Sequence, residues 1–215
     1  MLFLQSVIDL FLHLDVHLAA IIDQFGLLTY LILFATIFCE TGLVFTPFLP
    51  GDSLLFAAGA FAARGSFNPV LLTILLGVAA ILGDSCNYWI GGLLGRRVFK
   101  EHRKILSLDH LRATEEFYRK HGSKAVIFAR FLPMFRTIVP FVAGVAKMSY
   151  PVFFFYNVVG GIVWVVLFVW AGYFFGGIPA VEHNFSLVIL AIIVVSMLPA
   201  VVHVVRHWMA KRRSV

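Results

Sequence analysis

Charge is what this sequence has least of. Charged residues make up 13% of the chain against 61% hydrophobic, with a mean hydropathy of +0.95. Soluble domains carry about 25% charged residues, so a water-facing globular surface is excluded. Cysteine is almost absent: Cys39 and Cys86 lie in apolar stretches without metal-ligand spacing. Neither a disulfide framework nor a zinc site is expected from them, and both are read as buried thiols. Positive charge is missing from the first 63 residues, as no Lys or Arg precedes Arg64, and Asp9 interrupts the first apolar stretch. That pattern does not fit a signal peptide, so insertion is expected to rely on internal segments.

What is abundant is bulky apolar surface, with 23 Phe and 4 Trp in 215 residues. The length suits one domain of roughly five or six membrane segments, each needing about 20 residues. The net charge of +6 is concentrated: nine basic residues run from Arg96 to Lys124, and Arg206, Lys211, Arg212 and Arg213 close the chain. In a polytopic protein such clusters are topology signals that mark the cytoplasmic side. No nucleic-acid module accompanies them, so no nucleic acid is expected as a partner.

Residues 1–23 carry Gln5, Ser6, Asp9, His13, His17 and Asp23 near helical spacing, which predicts an amphipathic N-terminal helix. The uncharged run 24–39 is short for a span. From Glu40 to Asp52 come Pro47, Pro50, Gly42 and Gly51, which argue against a continuous helix. A broken segment over 40–63 is therefore expected. Residues 66–95 are long enough to span, although Asp84 interrupts them. The polar stretch 96–124 reads as a cytoplasmic loop with a helix capped by Ser107, on which Glu115/Arg119 and Glu116/Lys120 form i,i+4 pairs. Residues 125–147 are apolar but hold Arg130, Pro133, Arg136 and Pro140. Spans follow at 152–176 and 184–206, then the basic tail 207–215.

Both basic clusters belong on the cytoplasmic side, so an even number of crossings must separate them. Three apolar segments lie between, and only 125–147 is broken by arginines and prolines. That segment is expected to enter and return on one side, which irregular backbone survives only inside protein or beside a water-filled cavity. The segment 40–63 is expected to dip in from the other side. Phe48-Leu49-Pro50 before Phe56-Ala57-Ala58-Gly59 parallels Phe131-Leu132-Pro133 before Phe141-Val142-Ala143-Gly144. The fold class expected is an all-α polytopic bundle with two opposed re-entrant broken-helix hairpins, an inverted repeat of the kind many transporters share. The hairpin breaks are placed at Pro47, Pro50, Gly51, Pro133 and Pro140.

Glu40 and Asp52 fall in the first broken segment, Arg130 and Arg136 in the second. A charge at the bilayer centre costs about 2.5–3.5 kcal/mol on insertion scales, so these four must face each other, a cavity or a ligand. Arginine offers a planar donor fork that grips phosphate at two points, which makes Arg130 and Arg136 the substrate-binding candidates. Low dielectric disfavours the charged form of a carboxyl, so Glu40 and Asp52 are the proton-coupling candidates. Asp84, Asn87, Tyr88 and Thr137 are expected along the same cavity. The pairs His13/His17 and His203/His207 have i,i+4 spacing but no third ligand, and no metal or cofactor is expected. Gly91, Gly92, Gly95, Gly160, Gly161, Gly172 and Gly176 are read as close-packing positions.

Glu40, Phe48-Leu49-Pro50-Gly51-Asp52, Gly83-Asp84 with Tyr88, Arg130-Phe131-Leu132-Pro133 and Arg136-Thr137 form an ordered set. Pro140, Ala143-Gly144, Asn157, Gly160-Gly161, Trp164 and Gly172-Tyr173 extend it. Over about residues 25–210 the chain resembles the DedA family of bacterial membrane proteins, which are related to lipid scramblases. The resemblance implies a multi-pass inner-membrane lipid transporter with opposed hairpins and dependence on the proton motive force, whose C-terminus the basic tail places in the cytoplasm. It also implies an anionic lipid substrate, undecaprenyl phosphate or a phospholipid, and assigns the essential acids and arginines to Glu40, Asp52, Arg130 and Arg136. A passive scramblase and a non-transporting assembly factor are the alternatives. An intramembrane enzyme is disfavoured, because Asp52 and Asp84 lack an aspartyl-protease context and no intramembrane His accompanies the arginines.

Overall fold

The computed structural model describes residues 14–43, 51–101, 122–192 and 194–195. Every regular element among them is helical. Helix α1 covers Leu14–Phe25, α2 Leu28–Gly42, α3 Gly51–Ala63 and α4 Pro69–Glu101. A 3₁₀ turn at Gly122–Lys124 leads into the short α5 at Ala125–Ala129, then α6 at Pro133–Val145, α7 at Tyr150–Phe175 and α8 at Pro179–His183. Residues 185–192 are helical again. Several expected features lie outside the described residues: 1–13, Pro47 and Pro50, the Ser107-capped helix with its charge pairs, His203/His207 and the tail 207–215.

The helix ends follow from local chemistry. Asn68 caps α4, its Oδ1 accepting from the N–H groups of Val70 and Leu71 at 3.0 and 3.1 Å, and Pro69 takes the first position, where no N–H is needed. Proline likewise opens α6 and α7. Helix α3 ends on Gly65 at φ +86, with Ser66 N–H reaching back to Phe61 O. Helix α6 ends the same way, with Met148 N–H on Ala143 O and Lys147 in the left-handed region at φ +54. These are Schellman closures, and Lys147 adopts a conformation that glycine usually takes.

Helices α4 and α7 are each long and apolar enough to cross a membrane, over Pro69–Leu94 and Tyr150–Phe175. Their outer faces carry Leu71, Ile74, Leu82 and Leu93, and Phe155, Ile162, Leu167 and Phe174, all exposed. Two such apolar faces on one small protein demand a nonpolar surround. Asp84 does not interrupt α4, which runs straight past it and on into the basic stretch as far as Glu101.

The main packing pairs are α4 with α6, α3 with α7, and α2 with α4. The first two rest on glycines that let backbones touch. A Cβ at Gly59 on α3 would strike the Val169 carbonyl of α7, and one at Gly172 on α7 would strike the Phe56 carbonyl of α3. The same reciprocal contact joins α4 and α6: Gly91 lies against the Phe141 carbonyl and Gly144 against the Tyr88 carbonyl. Small residues at such crossings are how apolar helices gain packing without a hydrophobic drive.

Two expectations are corrected. Cys39 is exposed and Cys86 only partly buried, where both were expected to be buried. Ile37 and Glu40 turn inward on α2, and Cys39, two residues or about 200° on from Ile37, therefore points outward. Pro140 does not break a helix: it lies inside α6, which continues to Val145. The interruption instead spans residues 130–132, where Leu132 is extended at φ −118, ψ 103 before Pro133, as the residue before a proline prefers. A lone proline costs one helical hydrogen bond, which a protein-packed membrane helix tolerates.

Candidate functional site

The interruption after α5 and the start of α3 bring charge into the centre of the bundle. Arg136, in the first turns of α6, spreads its guanidinium across two acids. Its Nη2 donates to Glu40 Oε1 near the end of α2, and its Nη1 donates to Asp52 Oδ1 at the start of α3, 3.0 Å away. Glu40 Oε1 also accepts from the Gly51 N–H at 3.1 Å, the first turn of α3 supplying one of the donors that a helix start leaves unused. A Cβ at residue 51 would fall on the Glu40 carboxylate, so glycine there is what admits the acid to the helix end.

Arg130 closes a second pair. Its Nη2 donates to Asp84 Oδ2 on α4 and to Asn157 Oδ1 on α7, the latter at 2.9 Å. Asn157 in turn donates through Nδ2 to Ile81 O at 3.0 Å. Arg130 Nη1 has no hydrogen-bond partner among the described residues, although Arg130 is only 4% exposed.

Trp164 of α7 joins the two pairs. Its Nε1 donates to Asp52 Oδ1 at 2.9 Å, and the guanidinium carbons of Arg130 and Arg136 lie 5.6 and 5.7 Å from its ring centroid. Cation–π attraction contributes about 2 kcal/mol when desolvated, and Trp164 is 1% exposed. Among the described residues the connected cluster thus holds three carboxylates, two guanidiniums, an amide and an indole. With all five charged groups ionised, the carboxylates exceed the guanidiniums by one.

The sequence-derived candidates are distributed as follows. Glu40, Asp52, Arg130 and Arg136 come together, and Asp84 is a direct ion-pair partner of Arg130. Asn87 ties backbones instead, donating to Thr41 O at 3.2 Å and Thr137 O at 2.7 Å. Thr137 is fully buried beside it, one residue from Arg136. Tyr88 lies outside the charged cluster: its hydroxyl donates to Met148 O, and its ring stacks on Phe153 at 4.6 Å. Gly51 and Pro133 stand at helix starts, α3 and α6 respectively. Trp164 and Asn157 received no site role from sequence reasoning; an uncharged residue in an apolar run gives no signal of what it touches. Among the described residues no group of His, Cys, Asp and Glu could hold a metal ion.

Comparison with known proteins identifies the family. Residues 49–174 match the VTT domain. The chain is 51% identical to Protein DedA of Escherichia coli K12 over 210 residues, 96% of each chain. It is 42% identical over 182 residues to an uncharacterized membrane protein of Mycobacterium tuberculosis, covering 83% of this chain and 79% of the relative. Inner membrane protein YqjA of Escherichia coli K12 is 34% identical over 151 residues, 70% of this chain and 69% of that one. No solved structure matches. The match over 49–174 and the 51% identity along nearly the whole chain lead to one conclusion, with which the apolar faces of α4 and α7 are in keeping: the chain belongs to the DedA family of membrane proteins, which carry the VTT domain.

Proposed function

We propose that the protein moves an anionic lipid, undecaprenyl phosphate or a phospholipid, across the bacterial inner membrane, with protons as the coupled ion. The observation that carries this reading is the enclosed cluster of two guanidiniums and three carboxylates between apolar helices. Enclosure is costly for ions that serve only as structural pairs, because apolar replacements are often as stable. Arg130 and Arg136 supply the phosphate-gripping donors, and Glu40 and Asp52 hold the exchangeable protons. A phosphate entering a site that already has one carboxylate in excess needs positive charge to accompany it. Protons taken up on carboxylates released from the arginines would provide that charge.

The same reading takes the interrupted segments 40–63 and 125–147 as opposed re-entrant hairpins. The helices run 15, 13 and 33 residues in one half (α2, α3, α4) and 5, 13 and 26 in the other (α5, α6, α7), and the matching 13-residue helix before a long one supports an inverted repeat with the site at its centre. It also places the C-terminus and the 96–124 stretch in the cytoplasm. Cysteines introduced at Lys124 and Lys147 in a background lacking Cys39 and Cys86 should both react with an impermeant maleimide only from the cytoplasmic face. Labelling of either from the periplasm in intact cells would overturn the hairpin.

The functional test is lipid movement by purified protein in liposomes with and without an imposed pH gradient. Wild type should respond to the gradient. Glu40→Gln and Asp52→Asn, which fix the neutral form, should abolish that response while leaving downhill exchange. A proton crossing 100 mV supplies about 2.3 kcal/mol, a bias of roughly fiftyfold. A wild type that moves lipid but ignores the gradient is a passive scramblase, and one that moves none is not a transporter. Chemical change of the lipid would point to an enzyme.

A further inference from the structure

Between α4 and α7 lies an apolar groove of about 280 Å³, walled by Val78 and Ile81 on one side and Ile162, Val165 and Val166 on the other, with Gly77 as its floor. The α4 residues that line it, from Thr73 to Ile81, span about 12 Å of helix. Gly77 differs from the glycines at the helix crossings, since an added Cβ there would meet nothing within 4 Å. No neighbouring backbone requires a glycine at this position, and alanine would favour the helix by about 1 kcal/mol. What glycine provides is the groove itself.

One end of the groove lies beside the charged cluster, with Ile81 between them. Ile81 forms part of its wall, and the Ile81 carbonyl accepts from Asn157, which holds Arg130. At Gly161 of α7, the point a Cβ would occupy lies 2.9 Å from Arg130 Nη1 and 3.0 Å from Ile81 Cγ1. Glycine at 161 therefore lets the guanidinium and the groove wall meet. The nitrogen found there is the one with no hydrogen-bond partner among the described residues. A buried donor left without an acceptor costs about 1–3 kcal/mol or more when charged, which favours a ligand that brings an acceptor to it.

Resting on the lipid reading above, we propose that the α4–α7 groove is the binding site for one hydrocarbon tail of the anionic lipid, and that Arg130 Nη1 meets its phosphate. The two features select one ligand chemistry: an acid headgroup joined directly to a long apolar chain. A free phosphate would leave the groove empty, and a neutral lipid would offer Nη1 no charged acceptor, whose hydrogen bonds are roughly twice as strong.

The test uses the full chain in detergent micelles with phosphatidic acid carrying a diazirine in its acyl chain, and the matching diacylglycerol probe. After irradiation, the phosphatidic acid label should map to residues 73–81 and 162–166, and the diacylglycerol should label them more weakly. Gly77→Leu, whose Cβ would meet nothing within 4 Å and whose longer side chain would fill the floor, should reduce that label at least about tenfold, the worth of two buried methylenes. Val166→Trp fills the groove from the other helix and should do the same. Thermal unfolding of both variants checks that they are folded. Label concentrated elsewhere, equal label by the two probes, or wild-type labelling of both folded variants would overturn the proposal. Lipid movement, measured on the same preparations, separates the two claims. Movement with label elsewhere removes the groove and leaves the transporter. Headgroup-dependent label in the groove without movement keeps the groove and removes the transporter.

Discussion

Replacing Arg136 with lysine should lower lipid movement in proteoliposomes at least about tenfold, the worth of one charge-assisted hydrogen bond, while the protein still inserts and folds. Arg136 uses both terminal nitrogens at once, one on Glu40 and one on Asp52, and so bridges α2 and α3. An ammonium keeps the charge that neutralises the acids but has no rigid fork with which to hold both, or to grip a phosphate at two points. Arg136→Ala is a different experiment. It leaves two carboxylates facing each other in a nonpolar interior, and breaking a buried pair in this way costs about 3–5 kcal/mol. Alanine should therefore fail at the level of folding, seen as loss of a monodisperse detergent-solubilised species, and lysine at the level of activity. Full activity in Arg136→Lys would show that the fork is not what the site uses.

The second large effect concerns the helix crossings. Gly91→Ala should destabilise the protein by about 1–3 kcal/mol through overpacking, whereas Gly77→Ala on the same helix should be neutral or stabilising by up to about 1 kcal/mol. A Cβ at Gly91 would lie 2.9 and 3.1 Å from the carbonyl carbon and Cα of Phe141. Those are backbone atoms of α6 that cannot rotate away, so α4 and α6 must separate. The check is the midpoint of thermal unfolding in detergent for the two variants side by side. Equal midpoints would mean that α4 and α6 are not in backbone contact.

The charged positions were legible in the sequence because an acid or arginine inside an apolar run is expensive and therefore conspicuous. The two long helices were legible from their hydropathy, α7 as an uncharged run and α4 despite Asp84, and the Phe-x-x-Gly echo at Phe56–Gly59 and Phe141–Gly144 marks residues that take part in the two glycine crossings. Pairing was not legible. Asp84 sits in the middle of a continuous helix, and nothing in the order of residues says that Arg130 will reach it. Trp164 and Asn157 are uncharged, and their parts in the cluster depend on which face of α7 meets α4. Cys39 and Pro140 were misplaced for a related reason: one needed the helical phase of α2, the other the tolerance of α6 for a proline within it.

The reciprocal glycine contacts divide the molecule mechanically. Because α3 is seated on α7 and α6 on α4, backbone to backbone, each pair tends to move as one piece. Asp52 and Trp164 travel with the first piece, Asp84 and Arg136 with the second. Arg130 follows α5, which packs chiefly on α7, and Glu40 follows α2, which packs on α4. The bonds Arg130–Asp84, Arg136–Asp52 and Gly51–Glu40 then all cross the seam between the two pieces, like teeth of a zip. The apolar groove opens on that same seam. An anion that takes the arginines away from their acids would unfasten the teeth at the moment its tail enters the gap, so loading the site and loosening the seam become one event.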